Sequence, residues 1–199
     1  MRGSTVSFYT AGEMTTAVSS PRRGTFWLAG LLLLLGGAYW AATSGVRAHV
    51  DGLIGQRVGQ PLPEFHLVDQ AGTEWTAAAL RGRRAVLHFF RSRCHACLAE
   101  VETLRAFERA LPADVVLLHV LTDAVLGFPA AETAATLQRC GFTAPVVQAD
   151  QALLDSLHRK GWANVTPVTY VVDAQGLVRA GLRGRQEPGA VEVALAAAR

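Results

Sequence analysis

Two cysteines separated by two residues, Cys94-His95-Ala96-Cys97, stand between an apolar run, Ala85-Val86-Leu87-His88-Phe89-Phe90, and a stretch with helical periodicity. No other feature constrains the chain as much. The run reads as a buried strand, and the cysteines then fall in the first turn of the helix that follows. A sulfur placed there lies among unpaired N–H groups at the positive end of the helix dipole, which favours thiolate over thiol. After Cys97, Val101, Leu104, Phe107 and Leu111 recur at three- and four-residue spacing, with Glu102, Arg105, Glu108 and Arg109 between them. The spacing predicts one helix from Cys94 to Leu111, ended at Pro112. Two intervening residues put the sulfurs about one turn apart, within reach of a disulfide. Cys94, at the helix terminus, is expected to be the exposed sulfur that meets a partner, and Cys97 the one that resolves the mixed disulfide. The pattern points to disulfide exchange.

The 199 residues, half of them apolar, suit one globular domain with an N-terminal extension. Residues 49–199 carry fifteen Lys plus Arg and fifteen Asp plus Glu, so the net +3 comes from Arg2, Arg22, Arg23 and Arg47 against Glu13. A neutral domain lacks the concentrated basic surface that phosphate binding needs, and no nucleic-acid partner is expected.

Phe26 to Ala42 is an uncharged run of 17 residues, about 25 Å long as a helix. Trp27 at one end and Tyr39 and Trp40 at the other suit interfacial anchoring. The reading is a tail over residues 1–24, disordered and cytoplasmic, then a transmembrane anchor over 25–45 and a linker over 46–55. The last segment, 56–199, is the folded domain. Arg22 and Arg23 abut the apolar run and orient the N-terminus inward. A signal peptide cleaved near Val46-Arg47-Ala48 is the alternative, and Met14 is an alternative start.

From Gln56 the chain alternates strand-like and helix-like segments. A short hairpin is expected over Glu64 to Asp69 and the Gly72 region, with buried strands over Arg84 to Phe90 and Asp114 to Leu121. Helices follow over Ala131 to Arg139 and Gln151 to Arg159. Val168 to Val172 and Leu177 to Leu182 flank the turn signal Asp173-Ala174-Gln175-Gly176, and a last helix runs from about Pro188 to Ala198. The class is α/β with a central mixed sheet flanked by helices. The stretch Ala124 to Ala131 receives no assignment.

Several separate motifs resemble the thioredoxin-like TlpA/ResA type of the redoxin (AhpC/TSA) superfamily, bacterial thiol-disulfide oxidoreductases that are exported or membrane-anchored. Val58-Gly59-Gln60-Pro61-Leu62-Pro63-Glu64-Phe65 is similar to the opening strand of that family, and Leu80-Arg81-Gly82-Arg83 to the segment before its first core strand. Val165-Thr166-Pro167, followed by Val168 to Asp173 and Gly176, is similar to its T-P-x-x-x-x-x-D-x-x-G signature. The resemblance implies a thioredoxin-like fold in a periplasmic domain on a single-pass inner-membrane anchor. It implies protein thiols or disulfides of exported proteins as substrates, a membrane redox partner beside the anchor, and no cofactor. It also implies that Pro167 is a cis-proline facing the disulfide and that the backbone of Thr166 pairs with a bound substrate chain. Glu100 matches an acidic position expected to take the proton of Cys97; a solvated helix glutamate is the alternative.

Arg93 stands where the family usually has Trp. With Arg91 and His95 it is expected to lower the pKa of Cys94, which would make the disulfide a stronger oxidant; exposed arginines screened by solvent and pointing away are the alternative. The same chemistry run as a reductase of apocytochrome or metallochaperone cysteines is the alternative direction. His88 could relay protons or be a satisfied core histidine. Cys140, outside the motif, reads as an inert thiol, with a regulatory disulfide as the alternative. No metal site is expected, because two cysteines supply only half a zinc site and Leu98 excludes the C-x-x-C-H haem motif. Leu87 and Arg91 stand where the peroxiredoxin P-x-x-x-T-x-x-C requires Pro and Thr, which argues against peroxidase chemistry.

Overall fold

The computed structural model describes residues 23–157 and 162–198. Its first element is α1 (Arg23–Gly55). The stretch Phe26–Gly55 is long and apolar enough to cross a membrane by length and composition, with a mean hydropathy of 1.5. The helix outlasts the 17-residue apolar run because nothing before Gly55 breaks it; Thr43, for example, turns its hydroxyl back onto the carbonyls of Tyr39 and Trp40. Residues 46–55, expected as a linker, are therefore helical. Compactness divides the chain after Gly45. In the second unit Leu53 and Ile54 are buried, and Asp51 pairs with Arg183. The tail expected over residues 1–24 lies outside the described residues except for its last two positions.

The second unit continues as β1 (His66–Val68), β2 (Glu74–Thr76), α2 (Ala77–Leu80), β3 (Arg84–Phe90), α3 (His95–Ala99), α4 (Val101–Arg109) and β4 (Val115–Leu121). It ends with α5 (Asp123–Leu126), α6 (Ala130–Cys140), β5 (Val146–Gln148), α7 (Gln151–Leu157), β6 (Val168–Val172), β7 (Val178–Arg183) and α8 (Ala190–Ala197). The main sheet runs β5-β4-β3-β6-β7. β3, β4 and β5 are parallel, and β6 and β7 are antiparallel additions. β1 and β2 form the separate hairpin expected around Gly72. α2, α5 and the three-residue β5 are elements that the sequence reading leaves out. The predicted helix over Gln151 to Arg159 is described as far as Leu157.

β3 and β4 are buried on both faces, as central parallel strands are. Ala85, Leu87 and Phe89 pack on one side with Leu118, Val120, Tyr170 and the α7 leucines. On the other side Val86 packs with Leu117, Phe107 and α8, while Phe90 and Leu121 pack with Cys94, Cys97 and Val101. His88 occupies the position between Val86 and Phe90 on that second face. It is paired in register with His119 of β4, and both histidines are fully buried. The predicted helix over Cys94 to Leu111 is two segments. They meet at Glu100, where φ −102° and ψ −2° depart from ideal helix and the carboxylate turns into the interior.

Candidate active site

The loop from β3 to α3 is built around a buried carboxylate. Asp123, in the first turn of α5, takes the Ser92 N–H at 2.7 Å and the Ser92 hydroxyl, and receives the Thr133 hydroxyl at 2.8 Å. Ser92 Oγ also meets Thr136 Oγ1 at 2.7 Å. Three donors converging on one buried carboxyl group tie β3, the loop and α6 together. Arg93 then adopts φ 53°, in the left-handed region that non-glycine residues rarely enter. Its guanidinium is held by Glu132 through two contacts of 2.6 and 2.7 Å and lies 5.2 Å from the Phe128 ring centre.

Arg93 thus has a partner that the sequence reading does not supply: its charge is matched by Glu132 of α6, whose carboxyl it holds below the usual range. Arg91 likewise spends its guanidinium on the carbonyls of Ser92 and Arg93. His95 is exposed at the first position of α3.

Cys94 caps α3. Its Sγ accepts the Cys97 N–H at 3.1 Å, as an N-cap side chain does, and the two sulfurs are joined as a disulfide with Cα atoms 5.2 Å apart. The Thr166–Pro167 peptide is cis. The Thr166 hydroxyl donates to Cys94 Sγ at 3.6 Å and its carbonyl oxygen lies 3.8 Å from the same sulfur. The two cysteines do not differ in exposure as expected; each is 4% exposed, because Thr166 lies over Cys94. What distinguishes them is donors: the helix N–H and the Thr166 hydroxyl both serve Cys94 Sγ, and both would stabilise a thiolate there.

Glu100 is 1% exposed, which excludes a solvated helix glutamate. Its N–H reaches the Cys97 carbonyl at 3.4 Å. One carboxylate oxygen meets His88 Nε2 at 2.9 Å and the other accepts the Gln186 N–H at 3.0 Å. Cys140 is buried in the same apolar cluster as the disulfide, and burial pushes its thiol up to about 11. A thiol so held is protonated and unreactive at neutral pH.

The structure thus brings Cys94, Cys97, Thr166 and Pro167 together and connects Glu100 to the buried histidines. Sequence reasoning missed Asp123, Ser92, His119, Glu108 and Gln186. Among them only His119 carries a sequence signal, a polar residue inside an otherwise apolar strand.

Comparison with known proteins agrees with this geometry. The family model described as AhpC/TSA matches residues 58–180. No curated protein matches. Among solved structures, StoA from Bacillus subtilis is 16% identical with a TM-score of 0.57, over 67% of this chain and 96% of its own. The exposed lipoprotein thioredoxin Etrx1 from Streptococcus pneumoniae is 21% identical with a TM-score of 0.56, over 68% and 99%. The thioredoxin domain of a thiol-disulfide oxidoreductase from Bacteroides vulgatus is 18% identical with a TM-score of 0.55, over 68% and 96%. At these identities the likeness establishes the thioredoxin-like fold.

Proposed function

This chain belongs to the AhpC/TSA family, and on that footing we propose that it is a membrane-anchored thiol-disulfide oxidoreductase acting outside the cytoplasm. It exchanges the Cys94–Cys97 disulfide with cysteines of exported proteins. The observation that carries this reading is the disulfide at the start of α3, with Cys94 Sγ facing the Thr166 carbonyl and hydroxyl beside a cis-proline.

A substrate thiolate attacks Cys94 Sγ, and Cys97 leaves. A second substrate thiolate attacks the substrate sulfur of the mixed disulfide, and Cys94 leaves as a thiolate held by the Cys97 N–H and the Thr166 hydroxyl. Run backwards, the same steps reduce a substrate disulfide. In this reading the Thr166 backbone, beside the sulfur, pairs with the substrate chain, and Glu100 exchanges a proton with Cys97.

Since Arg93 is neutralised by Glu132, local charge does not single out the oxidant. The direction is set by the potential of the partner, and reduction of apocytochrome or metallochaperone cysteines uses identical chemistry. The apolar helix holds the domain at the membrane, near a membrane redox partner.

Cells producing the full chain, with the outer membrane permeabilised, test the location. The reduced cysteines are expected to react with a membrane-impermeant maleimide, and the intact chain to remain in the membrane fraction. A soluble mature chain beginning near His49 contradicts the anchor, and protection from the reagent until the inner membrane is lysed contradicts the orientation.

A further inference from the structure

The buried carboxylate of Glu100 is one end of a four-member chain. Glu100 Oε1 meets His88 Nε2 at 2.9 Å, His88 Nδ1 meets His119 Nδ1 at 2.9 Å, and His119 Nε2 meets Glu108 Oε1 at 2.8 Å. The side chains of His88, Glu100 and His119 are at most 1% exposed and that of Glu108 is 4% exposed. The geometry follows from the elements. Glu100 and Glu108 are eight residues apart, about 12 Å along α4, and the register partners His88 and His119 bridge them from β3 and β4. Phe90 stacks on His88 and Phe142 on His119. Among the described residues, the remaining titratable groups in the apolar cluster around Phe90 are Cys94, Cys97 and Cys140.

Each of the three contacts needs one proton, because two facing lone pairs at these distances in a buried site repel rather than bond. Two carboxylates and two neutral imidazoles hold only two. The chain therefore holds a third, and the surroundings of Glu108 say where. Glu108 accepts the N–H and hydroxyl of Thr143 at 3.1 and 2.9 Å and the Ala144 N–H at 3.2 Å, so it is a carboxylate. His119 then donates from Nε2; burial keeps it neutral, so its Nδ1 is bare and His88 donates from Nδ1. The third proton is left between His88 Nε2 and Glu100. The pKa directions agree. Burial raises that of Glu108, but the bonds from His119 and Thr143 outweigh it and bring the carboxyl to about 2. Burial lowers His119 to about 4, so neither Glu108 nor His119 takes up a proton from water near pH 7.

We propose that Glu100, His88, His119 and Glu108 form a proton reservoir for the exchange reaction, one that keeps a proton at the Glu100–His88 contact for Cys97. The inference rests on the thiol-exchange reading of this site and extends it to a source for the proton. When an incoming thiolate bonds to Cys94 Sγ, the sulfur–sulfur bond breaks and its electron pair leaves on Cys97. Cys97 takes the stored proton and becomes a thiol, and the incoming sulfur is oxidised to the disulfide level. When Cys97 later attacks a mixed disulfide on Cys94, it returns the proton to Glu100–His88 and the Cys94–Cys97 bond re-forms. His88, His119 and Glu108 are positioning residues: Glu108 fixes the tautomer of His119, which fixes that of His88.

Glu108→Gln tests this in the full chain held in detergent and reduced with dithiothreitol. The amide can keep its oxygen toward Thr143 and turn its NH2 to His119 Nε2, giving up the longer Ala144 N–H bond that shares that position. His119 then donates from Nδ1 and His88 from Nε2, so all three contacts stay bonded with two protons and the reservoir is empty. Nitrogen NMR of the imidazoles is expected to show His119 protonated on Nε2 in the native protein and on Nδ1 in the variant. Reduction near pH 7 is expected to take one more proton from solvent in the variant than in the native protein. Equal uptake and an unchanged tautomer overturn the proposal. So does a native His119 protonated on Nδ1, a result that stands even if the variant fails to fold. If the native disulfide is not reversibly reduced at all, it is the exchange reading that fails instead.

Discussion

Cys94→Ser abolishes exchange, and Cys97→Ser arrests it at a mixed disulfide on Cys94. The difference follows from position. Cys94 Sγ sits at the helix cap with the Cys97 N–H and the Thr166 hydroxyl as donors, so it is the sulfur whose negative charge is stabilised and which a partner exchanges with. Without it the remaining thiols are Cys97, which lacks those two donors, and Cys140, which burial holds at about 11. The expected loss on Cys94→Ser is total within detection, at least about a thousandfold, as when a covalent nucleophile is removed. Without Cys97 the mixed disulfide lacks its resolving thiol, and exposure to glutathione disulfide should leave one glutathione per chain. Intact-protein mass spectrometry with peptide mapping checks both. An adduct on Cys140, or turnover by Cys94→Ser, would contradict the assignment.

The oxidised protein loses stability on acidification well before its ordinary carboxylates titrate. His119 is depressed from 6.5 to about 4 in the fold. The unfolded chain therefore binds a proton below 6.5 that the native state refuses, and stability falls as pH drops from 6.5 towards 4. At 1.36 kcal/mol per unit this single group costs about 3 kcal/mol, a large part of a typical total of about 5–15 kcal/mol. Glu108 acts in the same sense at lower pH. Its carboxyl, at about 2 in the fold against an ordinary 4.5, contributes stability above 4.5 that is lost as pH falls through 2. Urea unfolding at pH 7 and pH 4 measures the first window, and an unchanged midpoint would show that His119 is not a neutral buried imidazole.

The parts of the site legible in the sequence are those whose partners are close in the chain or fixed by a motif. Cys94 and Cys97 lie one helical turn apart, Glu100 follows in the next, and the Thr166-Pro167 signature arrives with its strand. What sequence reading misplaced depends on contacts across the chain. Arg93 looked like a free charge beside the sulfur, but its partner Glu132 lies 39 positions on. His88 alone in an apolar run could not be told from a satisfied core histidine. The parallel register that sets it against His119, 31 positions away, is not written in either strand. Asp123 stood at the edge of the unassigned stretch for the same reason: its bonds go back to Ser92 and on to Thr133. At the N-terminus the apolar run reported hydropathy, whereas helix length is set by where breakers occur, so α1 continues through Arg47 and Asp51 to Gly55.

Cys94 and Cys97, as a working redox couple rather than a structural staple, must open and close reversibly in the folded chain. Equilibrating the full chain in detergent against glutathione or dithiothreitol mixtures, followed by thiol alkylation, tests it directly. One reversible two-electron transition is expected, with a potential between about −120 and −270 mV, the range of exchange enzymes. A disulfide that stays closed to below about −300 mV, as structural ones do, or that opens only with unfolding, would contradict it.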